Sequence, residues 1–154
     1  IRMTSDGTPW RPLVHVEDVC RAFLAVIEAP RETVHGQAFN VGQDRENYQV
    51  RDVASTVEQT VPNSTVAYAP GGEPDTRCYR VDFGKIAREL PAFQPQWDVP
   101  KGVEELYRAY VDRGLQLADL EGARFQRIRR ITDRSEGGEL DKDLRWLSVT
   151  PDAV

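Results

Sequence analysis

The sequence predicts an α/β protein of mixed short strands and helices, and two observations carry that prediction. Apolar runs of strand length alternate with stretches whose apolar residues recur every three or four positions, the order strand, helix, strand, helix that is typical of this class. Prolines and glycines separate these runs where elements are expected to end. With 154 residues, 40% of them hydrophobic and 29% charged, the chain has the composition of an ordinary globular protein.

The first strand and helix are expected within residues 6–30. Pro9 and Pro12 keep the backbone extended and so display Arg11. A short apolar strand is predicted over residues 13–16, followed by a helix whose first turn carries two acidic residues, where the helix dipole favours them. One buried helical face is predicted from apolar residues at three- and four-residue spacing, namely Val16, Val19, Cys20, Phe23, Leu24 and Ile27.

The same alternation continues through residue 70. Residues 37–41 predict a second buried strand, residues 50–61 a helix that Pro62 ends, and residues 64–68 a third short strand. Residues 69–77 contain two prolines, two adjacent glycines and charge, which indicate a surface loop of the kind that often carries function.

Two capped helices are expected after this loop. Residues 79–83 alternate like the entry to a strand, and Asp82 is expected to cap a short helix through Leu90. Asp98 is expected to cap a longer helix, which Gly114 ends. We place a boundary there, with residues 1–114 as the body and residues 115–154 as a helical C-terminal tail that docks on it through apolar anchors. The tail includes an arginine-rich amphipathic helix over residues 124–134.

Charge, cysteine content and histidine spacing exclude several function classes. A formal net charge of -5 argues against a nucleic-acid binder. Two cysteines are too few for a disulfide framework and indicate a reducing, cytoplasmic setting. No long apolar run and no signal-peptide pattern occurs, so neither a membrane nor secretion is expected. His15 and His35 have no ligand at metal spacing, and we expect both to be structural, with no metal bound.

Four short motifs occur in a fixed order: Arg-x-x-x-His-Val-x-Asp-Val at 11–19, Phe-Asn-Val-Gly at 39–42, Asp-x-Arg-x-Tyr-x-Val-Asp at 75–82 and Phe-x-Pro-x-Trp at 93–97. Together they resemble the extended short-chain dehydrogenase/reductases, specifically the NAD-dependent epimerase/dehydratase family acting on nucleotide sugars, over roughly the first three quarters of the chain. The resemblance implies the C-terminal, substrate-binding portion of a Rossmann-like fold.

The resemblance also assigns site residues. In the family the arginine at the position of Arg11 commonly contacts a phosphate of the nucleotide sugar. We expect Arg77 to join it, because a guanidinium offers a rigid fork of donors for two phosphate oxygens. Asp75 is expected to accept from a ribose hydroxyl or to orient an arginine. Tyr79 is expected to line the nucleotide pocket, although packing at the core edge agrees equally with its type. Without the resemblance, both arginines would be ordinary surface charges.

The cofactor fingerprint and the catalytic pair of the family are both absent. No Gly-x-Gly-x-x-Gly occurs, and none of the five tyrosines has a lysine four residues later. We therefore expect NAD or NADP only in the complete enzyme, bound by a missing N-terminal half, and assign no catalytic residue and no cofactor to this chain alone. Further partners are the nucleotide-sugar substrate and, for the complete enzyme, a second copy in a homodimer.

Two other functions agree with the sequence. The chain could be a non-catalytic module that retains the fold and binds another protein, through the arginine-rich tail for example. It could also belong to a metabolic enzyme of the same superfamily whose substrate is not a nucleotide sugar.

Overall fold

The computed structural model describes residues 1–70 and 77–147, which form two compact units. The first unit is Ile1–Arg108, and the second begins at Ala109. The strands are β1 (Arg2–Met3), β2 (Trp10–Pro12), β3 (Asn47–Gln49) and β4 (Ala67–Tyr68). The helices are α1 (Val16–Glu28), α2 (Arg31–Val34), α3 (Val50–Thr60), α4 (Gly84–Glu89), α5 (Val99–Asp112), α6 (Leu117–Glu121) and α7 (Arg127–Glu136). This mixture confirms the predicted α/β class.

The four strands pair into two separate two-stranded sheets. β1 and β4 are parallel, and β2 and β3 are antiparallel with Arg11 opposite Tyr48. The extended backbone predicted around Arg11 is confirmed, but the strand ends at Pro12 and does not cover residues 13–16. The reason is that β3 begins opposite Pro12, and beyond it only Leu13 continues the pairing, donating to the carbonyl of Glu46 at 2.9 Å.

Helix α1 has the predicted bounds but buries the opposite face. Its large apolar residues lie outside, and Ile27 is 76% exposed. Cys20, expected on the buried face, is exposed as well. The helix buries Ala22 and Ala25, whose small side chains permit close packing against the core that α4 lines. That core consists of Ala22, Ala25, Phe83, Ile86, Leu90 and Phe93.

The carboxylate of Asp18 explains this orientation of α1. It is only 2% exposed and accepts hydrogen bonds from the backbone nitrogens of Gln96 and Trp97 at 2.9 and 3.0 Å. Arg21, one helical turn later, donates to the same carboxylate at 3.0 Å. Because these bonds satisfy a buried charge, the side of α1 that carries Asp18 must face inward. The apolar stripe on the other side is therefore turned outward.

Three predicted strands are absent or shorter in the structure. Residues 37–41 and 79–83 form no strand, and the strand predicted over 64–68 is reduced to β4. Residues 37–41 have no strand beside them among the described residues. Residues 79–83 lie beside β2 at Tyr79, but side chains of Asn47 and Asp44 bind the backbone groups of Val81 and Phe83 in place of a strand. The side chains of Phe39, Val41 and Val81 nevertheless pack against the core.

The predicted helices after residue 49 are confirmed. Helix α3 ends two residues before Pro62, and Asp98 accepts from the nitrogen of Lys101 at 2.9 Å in the first turn of α5. The N-cap residue of α4 is Phe83 and not Asp82, although the carboxylate of Asp82 does accept from the nitrogen of Gly84 at 2.6 Å. Asp82 therefore supports the start of the helix from one position further out.

The second unit, described through residue 147, contains the end of α5 together with α6 and α7. Gly114 adopts a φ of 60° just after α5, the left-handed conformation that commonly ends helices. The arginine-rich helix exists as α7, and Gly137 lies at its C-terminal end. One of its arginines, Arg134, pairs with Glu139 at 2.6 Å and lies 4.6 Å from the ring of Trp146. No helix among the described residues is long and apolar enough to cross a bilayer.

Replacing Asp18 tests whether this carboxylate orients α1. We expect Asp18→Ala to lower the free energy of unfolding by about 3 kcal/mol, because two backbone N–H groups and part of an arginine lose their buried acceptor. Asp18→Asn retains one acceptor oxygen and should lose about half as much. The control is Glu28→Ala at an exposed position of the same helix. Denaturant unfolding measures all three, and equal values for Asp18→Ala and Glu28→Ala would contradict the assignment.

Candidate functional site

Arg11 lies on β2 between two neighbouring segments. On one edge β2 pairs with β3. On the other edge, residues 77–80 run alongside, and the nitrogen of Tyr79 donates to the carbonyl of Trp10 at 3.4 Å. Arg11 Nη1 donates to the carbonyl of Trp10 at 2.7 Å and to the carbonyl of Arg77. The guanidinium of Arg11 is thus held against its own strand and against the segment that carries Arg77.

The structure brings together three of the residues predicted for the site. The guanidinium carbon of Arg11 lies 5.4 Å from the ring centroid of Tyr79, a cation–π contact. The backbone carbonyl of Arg77 accepts a hydrogen bond from Arg11, and Arg77 is exposed. Asp75 lies outside the described residues. Positions 66 apart in the sequence therefore meet in one cluster of aromatic and cationic groups.

Side chains of β3 and the preceding turn hold residues 77–83 in place. Asn47 is buried; its amide donates to the carbonyl of Val81 at 3.0 Å and accepts from the nitrogen of Val81 at 2.9 Å. Asp44 accepts from the nitrogen of Phe83 at 2.8 Å. These bonds replace the strand pairing that the segment lacks. They determine where the segment carrying Arg77 and Tyr79 lies relative to Arg11.

Tyr48 occupies the position opposite Arg11 in the β2–β3 pair. Burial raises the pKa of its phenol above the usual value of 10.0, and the nearby carboxylate of Glu46, which accepts its hydrogen bond, raises it further. Tyr48 consequently stays neutral and adds no negative charge beside Arg11 over the physiological range.

Two residues of the cluster, Trp10 and Arg80, were not among the predicted site residues. The guanidinium carbon of Arg80 lies 4.6 Å from the ring centroid of Trp10. Trp10 and Arg11 are adjacent in the sequence, as are Tyr79 and Arg80. The signal that could have revealed this arrangement is the matched aromatic–arginine pair in each of the two segments. It predicts that the two extended segments pack side by side, so that the arginine of each segment contacts the aromatic residue of the other.

A cavity of about 250 Å³ lies elsewhere in the first unit, and none of the predicted site residues lines it. Its wall is mainly apolar, and its acidic residues are Asp18, Glu46 and Asp98. Two of these carboxylates already accept backbone hydrogen bonds, Asp18 from residues 96 and 97 and Glu46 from Val99 at 3.1 Å. A wall with three carboxylates and no lysine or arginine disfavours a diphosphate.

His15 has the structural role predicted for it. Its Nδ1 accepts from the nitrogen of Glu17 at 3.2 Å and caps α1, while Nε2 lies 3.0 Å from a carboxylate oxygen of Glu105. The ring also stacks on Trp97 with centroids 3.9 Å apart. Among the described residues, no group of three or more potential ligands could hold a metal ion.

Two glycines of the first unit lie against neighbouring protein atoms. A dinucleotide needs glycines that open a turn toward its pyrophosphate. Gly7, with a φ of +73°, would place an added Cβ 2.7 Å from Cβ of Arg51, and Gly42 would place one 2.7 Å from the ring of Phe83. Both therefore make room for neighbouring protein atoms and not for a ligand. Neither of these two glycines leaves room for a pyrophosphate beside it.

Asn47 provides a test of how the segment carrying Arg77 is held. We expect Asn47→Ala to lower the free energy of unfolding by about 1–3 kcal/mol and to speed hydrogen exchange of the Tyr79 amide, because the buried polar groups of Val81 lose their partners. The matched control is Asn40→Ala, which removes one exposed hydrogen bond to the carbonyl of Asp82. If the two variants exchange at Tyr79 at the same rate, Asn47 does not position the segment.

The raised pKa of Tyr48 predicts how stability changes with pH. Its folded-state pKa lies above the unfolded value of 10.0, so the neutral phenol's contribution to stability is complete below pH about 10 and is lost as pH rises through the folded-state pKa. We expect the free energy of unfolding to fall more steeply above pH about 10 in the wild type than in Tyr48→Phe. Parallel declines in denaturant titrations of the two proteins would contradict this.

Comparisons with known proteins show what the fold of this chain is similar to. The NAD dependent epimerase/dehydratase family matches residues 1–42. UDP-glucuronic acid 4-epimerase from Bacillus cereus, solved with UDP-glucuronic acid and NAD, superimposes with a TM-score of 0.58 at 22% identity over 73% of this chain and 35% of that one. L-threonine dehydrogenases from Clostridium difficile (TM-score 0.60, 14% identity) and Phytophthora infestans (TM-score 0.58, 18% identity) each match 75% of this chain and 37% of theirs.

These likenesses establish the fold and its extent. The chain spans little more than a third of the length of each of these structures, 35% or 37%. The matched residues 1–42 include Arg11 and the helix that follows it. The chain therefore has the fold of a portion of an extended short-chain dehydrogenase, and its first 42 residues match the model of the NAD dependent epimerase/dehydratase family.

Proposed function

We propose that this chain is the nucleotide-sugar-binding portion of an NAD(P)-dependent nucleotide-sugar epimerase, dehydratase or reductase. It would grip the diphosphate and orient the sugar for hydride transfer by a cofactor that another portion holds. The observation that carries the proposal is the meeting of Arg11 with the segment that presents Arg77 and Tyr79. Two guanidinium groups from separate segments suit the two phosphates of a nucleoside diphosphate.

Arg11 is preorganised for this task. Its Nη1 is held by two backbone carbonyls and its guanidinium faces the ring of Tyr79. A side chain fixed before binding loses less rotamer freedom when the ligand arrives, so more of its interaction energy contributes to affinity. Arg77 is exposed and Arg80 lies on the same segment, which concentrates positive charge in a chain whose formal net charge is -5.

Tyr79 and Asp75 complete the proposed site. The ring of Tyr79 would support the bound nucleotide while it orients Arg11. We assign Asp75 the role of accepting from a ribose hydroxyl or orienting an arginine, because it lies two positions before Arg77 in the same run. No residue of this chain receives a step of the redox chemistry, because its sequence has neither Gly-x-Gly-x-x-Gly nor a tyrosine followed four residues later by a lysine. The present residues would bind and orient.

A second candidate has a different substrate. The fold is shared with L-threonine dehydrogenases, so an amino acid is the alternative to a nucleotide sugar. The cluster favours the nucleotide sugar, since an amino acid has one carboxylate for three arginines, at 11, 77 and 80. The non-catalytic interaction module has less support, because arginines of α7 are engaged within their own unit, Arg134 with Glu139 and Arg129 with the carbonyl of Glu121.

Calorimetric titration with UDP tests the proposal. We expect Arg11→Ala and Arg77→Ala each to weaken UDP binding at least about tenfold, because each removes a charge-assisted phosphate contact. The matched control is Arg31→Ala, an exposed arginine of α2 outside the cluster, which should bind as the wild type does. Raising the salt concentration should weaken wild-type binding more than binding by either cluster variant.

The same calorimeter distinguishes the substrate classes. L-threonine replaces UDP in a parallel titration of the wild type. Unchanged UDP affinity in both cluster variants, or binding of L-threonine in preference to UDP, would overturn the nucleotide-sugar proposal.

A further inference from the structure

The cavity of about 250 Å³ in the first unit has a wall formed mostly by large apolar side chains. They come from the residues after β2, from α3, from the segment before α5 and from α5 itself, and include Leu13, Val14, Val53, Pro95, Val103 and Leu106. An apolar cavity of about 150 Å³ stays dry and binds benzene. The cavity of this unit therefore has room for a molecule somewhat larger than one aromatic ring.

The acidic residues in the wall already have basic partners outside it. The nitrogen-to-oxygen distances are 3.0 Å for Asp18 and Arg21, 3.4 Å for Glu46 and Arg45, and 3.7 Å for Asp98 and Lys101. Among the described residues, every buried side-chain nitrogen and oxygen has a hydrogen-bond partner. A charged ligand would lose its water and find no group waiting for it, so the wall favours an uncharged one.

Two flat rings in the wall are fixed in place. His15 and Trp97 stack with centroids 3.9 Å apart and an angle of 13° between their planes. Trp97 Nε1 donates to Glu17 at 2.9 Å, and both nitrogens of His15 are engaged as well. Because these rings are ordered before any ligand arrives, packing against them costs little conformational entropy. Flat aromatic surfaces pack well against other rings.

Gly102 keeps the cavity open from α5. It is the fourth residue of that helix, and its nitrogen donates to the carbonyl of Asp98 at 3.0 Å as in a regular α-helix. Glycine is the least favourable residue inside a helix after proline. Nothing in the packing requires it, since an added Cβ would meet only Cδ2 of His15, at an ordinary 3.9 Å, outside its own helix. A larger side chain would favour the helix and fill the space, so the glycine indicates that the space has a use.

We propose that this cavity is a binding site for an uncharged aromatic molecule of about the size of indole. The apolar wall supplies the free energy of binding, the stacked rings of His15 and Trp97 supply a preformed flat surface, and Gly102 supplies the room. The site is separate from the proposed nucleotide site, because none of the residues assigned to that site lines the cavity.

Nuclear magnetic resonance titration with indole tests the proposal. We expect half-saturation at about 1 mM or below, with the largest shifts at the amides of Gly102 and Val103 and at Trp97 Nε1–H. Indole-3-acetate and tryptamine carry the same ring with a negative or a positive charge, and each should bind at least about tenfold more weakly. Absence of localised shifts with indole, or equal binding of either charged analogue, would overturn the proposal.

Substitutions on α5 identify the cavity as the site. Gly102→Leu should fill the cavity and abolish the indole shifts. The matched control is Glu104→Leu, at an exposed position of the same helix that does not line the cavity, and it should bind indole as the wild type does. Equal indole binding by the two leucine variants would contradict the assignment.

Gly102→Ala keeps the test decisive if the leucine variant does not fold. A methyl group has room at this position, so we expect a higher melting temperature than that of the wild type. A lower melting temperature would mean that packing requires the glycine, and the argument for a cavity kept open would fail.

UDP titration separates this proposal from the preceding one. Saturating indole should leave the UDP affinity of the wild type unchanged, and competition between the two would show that the cavity is part of the nucleotide site and overturn the present proposal. If indole binds as expected while Arg11→Ala and Arg77→Ala leave UDP binding unchanged, the cavity site stands and the nucleotide site does not. If those variants lose UDP and indole does not bind, only the nucleotide site stands.

Discussion

The buried carboxylate of Asp18 determines how the first unit is arranged. A charge that is 2% exposed must be satisfied by hydrogen bonds, and its acceptor oxygens bind the backbone at residues 96 and 97 as well as Arg21. This pins one side of α1 to the segment that precedes α5. The alanines on that side then meet the core, and the bulky apolar residues are left outside. One polar interaction thus determines which face of α1 is buried and which is exposed.

The candidate site depends on the same kind of bond between a side chain and a backbone. Asn47 and Asp44 take the place of a neighbouring strand for residues 81–83, and Arg11 does so for residue 77. Each of these side chains belongs to a segment near the start of the unit or around β3. The cationic cluster is therefore built on short extended segments. Hydrogen bonds from polar side chains, more than strand pairing, determine the relative positions of these segments.

Local sequence rules predicted the elements that depend on local interactions. The start and end of α1, the helix before Pro62 and the cap at Asp98 follow from charges, prolines and capping side chains within a few residues. The buried face of α1 was wrong because hydrophobic periodicity identifies an apolar stripe and not the surface that covers it. The strand predicted over 37–41 was wrong for a related reason: pairing needs a neighbour, and residue preference does not supply one.

The site shows the same division. Arg11, Arg77 and Tyr79 were predicted from motif order, and their meeting is a tertiary contact that no local rule could give. Trp10 and Arg80 were not predicted as site residues, because nothing in the sequence next to either one indicates a contact. They meet only because two segments distant in the sequence lie side by side.

That distance has a thermodynamic consequence. Arg11 and Arg77 are separated by 66 positions, so an unfolded chain presents them as two unrelated charges with no common binding geometry. A ligand that bridges them binds only the folded state and stabilises it by RT ln(1 + [L]/Kd), which is about 2.7 kcal/mol at a concentration one hundred times Kd. Thermal melting in the presence of different nucleotides would then rank base and sugar without any enzymatic assay, because the ligand joins two segments that lie far apart in the sequence.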